Sequence, residues 1–377
     1  MLSRMPMNII ILTCNRPDIM IRCVNQIKLF SNDNLIIVDD SSNKEFINGK
    51  LLLEKANITY PTFHISTKQA FKSLKQLLPS SALLWTLKCG RRDISPQRNL
   101  ALLFSIFNEN ESNLLIDDDI TSFNIGFTRK KILQIKKTHK HFIAGVHISG
   151  IDERSSIERF KLAIENTKIK CNSTKELFTI PAIKILQKSK QVNFVSGGYL
   201  SFNISKETTN MLSFPPGYNE DWIWCYQNKH INKVKVFRLP QVVIHDPPEI
   251  KNISINDLEF EILGEIIVDL VVNNLLEYPY KYSEEHSLEL VKQYIPINLI
   301  VELIDLYDNC KNKSLISRYG LENLIRFYKT TLQNYNWIEK FKEWEHQTKI
   351  TQNSFGITLS LWNKNISNHI FLDRRIN

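Results

Sequence analysis

The chain has 377 residues, a formal net charge of +9, 43% hydrophobic residues and 23% charged residues. This length corresponds to one large or two ordinary globular domains, and the composition is typical of a soluble protein. The basic charge favours anionic ligands such as nucleotide diphosphates, although a lysine-rich composition explains it equally well. The absence of an RNP-like motif, a zinc-finger pattern or a compact basic and aromatic block argues against nucleic acid as a partner.

The cysteines and the N-terminus indicate a reducing compartment. The six cysteines are scattered and include no CxxC pair, which argues against a disulfide framework or a zinc ribbon. The apolar run before Thr13 is too short for a signal peptide, and no stretch approaches the ~18 apolar residues of a membrane span. We therefore expect a cytoplasmic protein with at most peripheral membrane contact.

From residue 8 to about 246, apolar strand-like runs alternate with helical patterns. In chain order, the pattern predicts a strand over 8–12, a helix beginning near Pro17, strands over 34–40 and 59–65, a helix over 95–107, and a strand over 113–116. Alternation at this spacing predicts βαβ units and a mostly parallel sheet. Ligands of such sheets bind beyond the carboxyl ends of the strands.

After about residue 250 the pattern becomes helical. Three segments have an amphipathic or buried helical pattern: 257–278, 296–310 and 321–344. We therefore predict a catalytic domain over 1–250 and a helical domain over 251–377, with a hinge at "DPPE" (246–249). The helical domain could bind an acceptor, cover the catalytic domain as a lid, or mediate homodimerisation.

Three consecutive aspartates, Asp117, Asp118 and Asp119, follow the strand over 113–116 directly. Adjacent anions repel, so a binding partner is expected to offset the repulsion. Because side chains alternate along a strand, Asp117 and Asp119 are expected to share one side, where a hard cation such as Mg²⁺ or Mn²⁺ fits oxygen ligands. Asp118 would face the other way and tolerate replacement best. The alternative is an acidic turn that caps the next helix.

Further polar signals follow later in the chain. Gly197 and Gly198 allow a close backbone approach or a positive φ, although an ordinary turn explains them too. Glu220 and Asp221 open a predicted helix, either as favourable charges at its N-terminus or as a general base. His245 ends a predicted strand, as a metal ligand or a core histidine.

The order of these pieces resembles the GT-A glycosyltransferases, most closely the inverting, family 2-like branch. The resemblance covers about residues 7–250 and rests on "TCNRPD" (13–18), "VDDSS" (38–42), "QRNLAL" (97–102), "LLIDDD" (114–119), "SGGYLSFN" (196–203), "NEDWIW" (219–224) and "IHD" (244–246). It implies an α/β fold of the GT-A type, with a Rossmann-like, mostly parallel sheet and flanking helices, followed by an α-helical C-terminal region.

The resemblance also implies the roles of individual residues. The positions matched to donor binding are Thr13, Asn15, Arg16, Asp39, Arg98, Asn99, Asp117, Asp118, Gly197 and Gly198. The positions matched to a Mn²⁺ or Mg²⁺ site are Asp119, Asp117 and His245. Asp221 matches the general base, with Glu220 supporting it or substituting for it. Arg98, or Arg91 and Arg92, would also stabilise the leaving diphosphate.

The implied activity is that of a metal-dependent, hexosyltransferase-type enzyme. The donor would be a nucleoside-diphosphate sugar, most often a UDP-sugar. The acceptor hydroxyl or other nucleophile would belong to a glycan, a peptide or protein, or a small molecule. Asp221 would deprotonate it in a single displacement with inversion at C1. The glycine that usually follows "VDD" is Ser41 here, and the C-terminal helices lie outside the resemblance.

Three alternatives remain open at this point. "LLIDDDIT" also resembles the first motif of haloacid-dehalogenase-type phosphotransferases, with Asp117 as nucleophile and Asp119 as acid and base, but that motif normally lies near the start of its domain. A sugar nucleotidyltransferase has a similar architecture, yet its opening glycine-rich loop is missing. The third alternative is a non-catalytic scaffold protein that binds a sugar nucleotide.

Overall fold

The computed structural model describes residues 6–56, 58, 60–89, 93–107, 112–151, 162, 179–180, 188–203, 212–247, 255–272, 301, 326, 336–362, 366, 370 and 375–376. The strands are β1 (Met7–Thr13), β2 (Asn34–Asp39), β3 (Thr62–Ser66), β4 (Ser112–Asp117), β5 (Ile120–Thr121), β6 (Phe142–Ile151), β7 (Thr179–Ile180), β8 (Lys190–Gln191), β9 (Tyr199–Asn203), β10 (Lys235–His245) and β11 (Arg375–Ile376). The helices are α1 (Pro17–Gln26), α2 (Asn43–Lys55), α3 (Thr67–Leu77), α4 (Ser95–Phe107), α5 (Ile125–Lys136), α6 (Glu220–Ile231), α7 (Ile255–Val272) and α8 (Trp337–Leu361), with a 3₁₀ helix over Ser80–Thr86.

The strands form one sheet in the order β11-β3-β2-β1-β4-β9-β6-β10-β5, with β7 added to β6 and β8 to β10. β3, β2, β1 and β4 are parallel to one another, and β6 is parallel to β10. β9 runs antiparallel to both of its neighbours. The predicted α/β class and the mostly parallel sheet are thus confirmed.

Helices cover both faces of the sheet. Successive residues of the central strands point to opposite faces, so each of these strands contributes to two cores. Ile10 and Leu12 of β1 belong to a core that includes residues of α3, α4, α6 and α8. Ile9 and Ile11 belong to a second core that includes residues of α1, α2 and α5. Every residue of β1 is buried, as expected for a central strand with two covered faces.

The predicted elements before residue 250 agree closely with the observed ones. Pro17 is the first residue of α1, where its missing N–H has no helical partner to lose. The strand predicted over 59–65 begins later, at Thr62, because Pro61 precedes it. α6 begins at Glu220, and β10 ends at His245, as predicted.

The described part of the C-terminal region shares the core of the sheet. α8 packs on the 3₁₀ helix, where the indole Nε1 of Trp85 donates to Thr358 Oγ1 at 2.9 Å. Phe355 of α8 meets the Trp85 ring edge-on at 5.7 Å, and β11 pairs with β3. The prediction that this region packs on the sheet fits these contacts, while the domain division at residue 250 stays a prediction. Apart from Val301 and Arg326, the helix predicted over 296–310 and the first part of the helix predicted over 321–344 lie outside the described residues. The rest of the second segment consists of Asn336 and the start of α8.

None of the helices in the described ranges combines the length and the apolar character that crossing a bilayer requires.

Candidate active site

Polar side chains collect where β1, β2 and β4 end. Because these strands are parallel and in register, Thr13 lies beside Asp39, and Leu12 lies beside Asp117. The N–H of Asp118 donates to Leu12 O at 3.1 Å. The end of β10 reaches the same place, where the N–H of Asp246 donates to Asp119 O at 2.9 Å. Residues that are far apart in sequence therefore meet at one edge of the sheet.

The three aspartates do not alternate as predicted. β4 ends at Asp117, and Asp118 and Asp119 form the turn before β5, where strand alternation no longer applies. Arg16 bridges Asp118 and Asp119, with its Nη1 2.6 Å from Asp119 Oδ2 and its Nη2 bonded to Asp118 Oδ1. Asp118 also accepts from Thr13 Oγ1 at 2.6 Å and is fully buried. The expectation that Asp118 tolerates replacement best is therefore wrong on structural grounds.

His245 faces the aspartates as the resemblance implied. Its Nε2 lies 3.5 Å from Asp119 Oδ2, and its Nδ1 lies 2.7 Å from the carbonyl oxygen of Ile151. A carbonyl only accepts, so this contact places the hydrogen on Nδ1. Nε2 is thereby the ring nitrogen that points to the carboxylate, the arrangement that commonly orients a metal-binding histidine.

The three carboxyl groups differ in the direction in which their pKa values are shifted. Burial raises the pKa of Asp117 to about 6, although the charge of Arg98 opposes the shift. Burial also raises the pKa of Asp118, against the charge of Arg16. Burial acts in the same direction on Asp119, but the hydrogen bond and charge of His245, together with Arg16, outweigh it and hold that pKa well below its usual range. Asp119 therefore stays ionised, which is the state in which a carboxylate can bind a cation.

A buried arginine joins these aspartates to the predicted acid pair. Arg98 Nη2 lies 3.4 Å from Asp117 Oδ2, its Nε lies 3.0 Å from Glu220 Oε1, and its Nη1 lies 3.9 Å from Asp221 Oδ2. Only 3% of Arg98 is exposed. This position argues against the predicted role of Arg98 over the donor phosphates, because its guanidinium is already surrounded by three acidic side chains. The alternative candidates, Arg91 and Arg92, lie outside the described residues.

Asp221 is held from both sides at the start of α6. Its Oδ2 accepts from the backbone N–H of Gly197, and its Oδ1 accepts from the N–H of Trp222 at 2.9 Å. Glu220 beside it is deeply buried, and this burial raises the pKa of Glu220 to about 8 even though Arg98 opposes the shift. Both side chains are buried, with 5% of Glu220 and 8% of Asp221 exposed.

Gly197 and Gly198 allow the close approach that the sequence suggested. A Cβ on Gly197 would lie 2.5 Å from Arg98 Cζ, far inside van der Waals contact. A Cβ on Gly198 would lie 3.0 Å from Ile148 Cδ1 and 3.5 Å from Asp117 Oδ2. Neither glycine has a positive φ. Close packing therefore explains why these positions need glycine.

The residues predicted to contact the nucleotide base form a second group. Asp39 is buried and accepts from the Ser41 N–H at 2.8 Å, while its other oxygen lies 2.9 Å from His64 Nε2. Asn15, at a positive φ of 53°, accepts from the Ser42 N–H at 2.8 Å and donates its own N–H to Ser41 Oγ at 2.6 Å. Ser41, the departure from the usual glycine, thus ties the loop after β1 to the loop after β2.

Sequence reasoning missed one member of this site and misassigned another. His64 was not identified, since a lone histidine in β3 carries no local signal of its contact with Asp39. Asn99 was matched to the nucleotide, but both ends of its amide bond the backbone of Phe214, at 3.0 Å and 2.7 Å. We therefore remove Asn99 from the donor-binding residues, because its amide holds the segment before α6.

The residues suit a divalent ion only in combination with further ligands. Within the described residues, no three His, Cys, Asp or Glu side chains are grouped so that they could hold a metal alone. Asp117 Oδ1 is nevertheless buried without a hydrogen-bond partner in that part of the chain. Carboxylate oxygens and an imidazole nitrogen match the donor preferences of Mn²⁺, and diphosphate oxygens can supply the rest of the shell. The predicted site thus fits such an ion bound together with a diphosphate.

No protein-family model matches the chain, and no curated protein matches it either. Solved structures do resemble it, and they are of the GT-A glycosyltransferase class that the motif order suggested. One is S. aureus TarS 1–349 in complex with UDP-GlcNAc, at 13% identity and a TM-score of 0.42, over 94% of this chain and 90% of that one.

Two further structures have a similar degree of likeness. Glucosyl-3-phosphoglycerate synthase from Mycobacterium tuberculosis, in complex with Mn²⁺, UDP-glucose and phosphoglyceric acid, is 11% identical with a TM-score of 0.41, over 72% of this chain and 81% of that one. The mannosyltransferase PcManGT from Pyrobaculum calidifontis, in complex with GDP-Man and Mn²⁺, is 10% identical with a TM-score of 0.44, over 95% and 87%. Likeness this remote concerns the architecture, and an activity has to be argued from the site.

Proposed function

We propose that this protein is an inverting glycosyltransferase that transfers a sugar from a UDP-sugar to an acceptor nucleophile, with Asp221 as the general base. One observation carries the proposal. Arg98 contacts Asp117 at the end of β4 and the Glu220–Asp221 pair at the start of α6. A predicted donor-binding carboxylate and a predicted base are therefore held within the span of one guanidinium group.

The two sides of this arrangement suit the two substrates. On the donor side, Thr13 and Asp39 lie next to each other in register, where the resemblance places the nucleotide base. On the acceptor side, Asp221 keeps lone pairs on both oxygens after accepting the two backbone N–H groups, because a carboxylate has about four acceptor positions. These bonds fix the orientation of the carboxylate before the acceptor arrives.

The reaction can be written with these residues. The acceptor oxygen attacks C1 of the sugar while Asp221 takes its proton, and the bond from C1 to the phosphate oxygen breaks with its electron pair on the diphosphate. Asp119 and His245, with Asp117, would hold a divalent ion, whose chemistry is to neutralise charge on the leaving diphosphate. Arg98 keeps Asp117 and Asp221 in position and, being buried, takes no direct part.

The test is a comparison of two adjacent variants. We expect the purified chain with Mn²⁺ to release UDP slowly from at least one member of a UDP-sugar panel, by transfer or hydrolysis. Asp221→Asn should lower transfer by about 10² to 10⁴, the usual contribution of a general base, with UDP affinity nearly unchanged. Glu220→Gln is the matched control, since Glu220 is the less exposed neighbour, and it should retain more activity.

Three outcomes would contradict the proposal. A collapse of UDP affinity in Asp221→Asn would make Asp221 a donor ligand and not the base. Failure of the wild-type chain to bind any nucleotide sugar would remove the proposed substrate class. Release of phosphate from simple phosphomonoesters would favour the haloacid-dehalogenase-type reading of Asp117 and Asp119.

A further inference from the structure

Arg16 occupies an unusual place in the site. It follows Asn15, whose left-handed backbone turns the chain at the end of β1, and it is the N-cap residue of α1. Its side chain makes no capping hydrogen bond, as expected for an arginine, and instead bonds Asp118 and Asp119. About a quarter of the Arg16 side chain is exposed, whereas Arg98 is almost fully enclosed.

The charges around the aspartates explain why an arginine is bound there. Three carboxylates meet at this point, and Arg98 is shared between Asp117 and the acid pair of α6. In the described part of the chain, the basic side chains within ion-pair distance of Asp118 or Asp119 are Arg16, beside both carboxylates, and His245, beside Asp119. Without Arg16, the buried Asp118 would lose its opposite charge, and Asp119 would depend on His245.

The same oxygen serves the arginine and the predicted metal site. Asp119 Oδ2 is 2.6 Å from Arg16 Nη1 and 3.5 Å from His245 Nε2. A guanidinium and a divalent ion are both cations, so a carboxylate oxygen that binds one of them strongly binds the other more weakly. An arginine guanidinium is charged at every physiological pH, so it remains a cation in this competition.

From this geometry we propose that Arg16 is a built-in counterion that competes with the divalent cation for Asp119. The free protein then binds the ion weakly, because Arg16 has to leave that carboxylate first. The inference rests on the proposed function only in taking Asp119 and His245 as metal ligands. It goes beyond that function, because it gives the arginine of "TCNRPD" an antagonistic role toward the metal.

The experiment measures metal binding directly. Free Mn²⁺ is followed by electron paramagnetic resonance as it is titrated with the full-length chain, with and without UDP. Without UDP, Arg16→Gln should bind Mn²⁺ at least about tenfold more tightly than the wild type, a change of about 1.4 kcal/mol. Arg16→Lys should fall between the two, because a lysine keeps the charge but lacks the planar fork that bridges two carboxylates.

Arg22→Gln is the matched control. Arg22 also lies on α1 and forms an ion pair with an aspartate, Asp246, at 2.9 Å, but it does not touch the three aspartates. Losing its charge reproduces the general electrostatic effect of Arg16→Gln without removing the competitor. Its Mn²⁺ affinity should stay within about two- to threefold of the wild type, because this half-buried ion pair lies outside the three aspartates and remains partly screened by solvent.

The possible results separate this inference from the proposed function. Equal or weaker Mn²⁺ binding by Arg16→Gln, or an equal gain by Arg22→Gln, would overturn the competition while leaving a wild-type site that binds Mn²⁺ with UDP. Failure of the wild type to bind Mn²⁺ even with UDP would overturn the metal assignment and this inference together. If Arg16→Gln does not fold, Arg16→Lys decides, since it must still bind Mn²⁺ more tightly than the wild type.

Discussion

Replacing Gly197 by alanine tests the packing that links the two halves of the site. The new Cβ would lie 1.5 Å from Arg98 Nη1 and 2.5 Å from its Cζ, whereas ordinary contacts begin at 3.4 Å. The guanidinium has to retreat by roughly 2 Å, since little else can move in a tightly packed interior. Such a retreat takes Arg98 away from the carboxylates of Glu220 and Asp221, to which it is bound.

The expected loss of stability is large because the pair is buried. Breaking a buried ion pair costs about 3–5 kcal/mol when a charge is left uncompensated. We therefore expect Gly197→Ala to lower the free energy of unfolding by about 3 kcal/mol or more, and to reduce transferase activity because Asp221 loses its position. The measurement is urea unfolding, with the midpoint and the slope fitted separately.

A double-mutant cycle decides whether Arg98 is the cause. Arg98→Leu removes the guanidinium that the new Cβ would strike, so Gly197→Ala should cost less than about 1 kcal/mol in that background. The difference between the two costs is the coupling energy between the positions. If Gly197→Ala costs the same with and without the guanidinium, the steric argument is wrong and another contact limits residue 197.

Three further predictions concern stability. Burial raises the pKa of Glu220 to about 8 from about 4.5. The stability that protonated Glu220 contributes to the folded state is therefore fully present below about pH 4.5 and is lost as the pH rises to 8. Relative to the wild type, the free energy of unfolding of Glu220→Gln in urea should therefore gain a few kcal/mol between pH 5 and pH 8. Trp344→Phe removes the indole donor to Pro216 O at 2.7 Å and should cost about 1–3 kcal/mol by the same method; no loss would mean that water replaces the bond. Gly356→Ala, in α8 with nothing within 4 Å of its Cβ, should stabilise by about 0.5–1 kcal/mol, and a loss would show that the position is constrained.

Much of the site could be predicted from short motifs because each motif marks the point where one strand ends. The apolar runs of β1, β2 and β4 end at Thr13, Asp39 and Asp117, and parallel pairing then brings those ends together. The glycine pair and the Glu220–Asp221 pair were also recognisable, since close approach and helix starts leave local signatures. These features needed no knowledge of distant contacts.

The partner of each charged side chain could not be read in this way. Arg98 looked like a phosphate ligand because arginine is suited to phosphates, yet the packing of α4 against the loop before α6 buries it among three carboxylates. Asn99, one residue further on, bonds Phe214 for the same reason. Arg16 was matched to the donor, and its contact with Asp118 and Asp119 depends on residues about a hundred positions away.

The sequence by itself thus determined the α/β class, the central strands β1, β2 and β4, the helices α1 and α4, and the chemical type of the site residues. Periodicity and side-chain chemistry are local properties, so they can be recognised in the sequence without the tertiary structure. Only the tertiary structure decided that Asp118 is buried, that "DDD" bends into a turn before β5 and that Arg16 and Arg98 divide the carboxylates between them. Those outcomes depend on the order and register of the strands, because a charged group in the interior binds whichever opposite charge the packing brings to it.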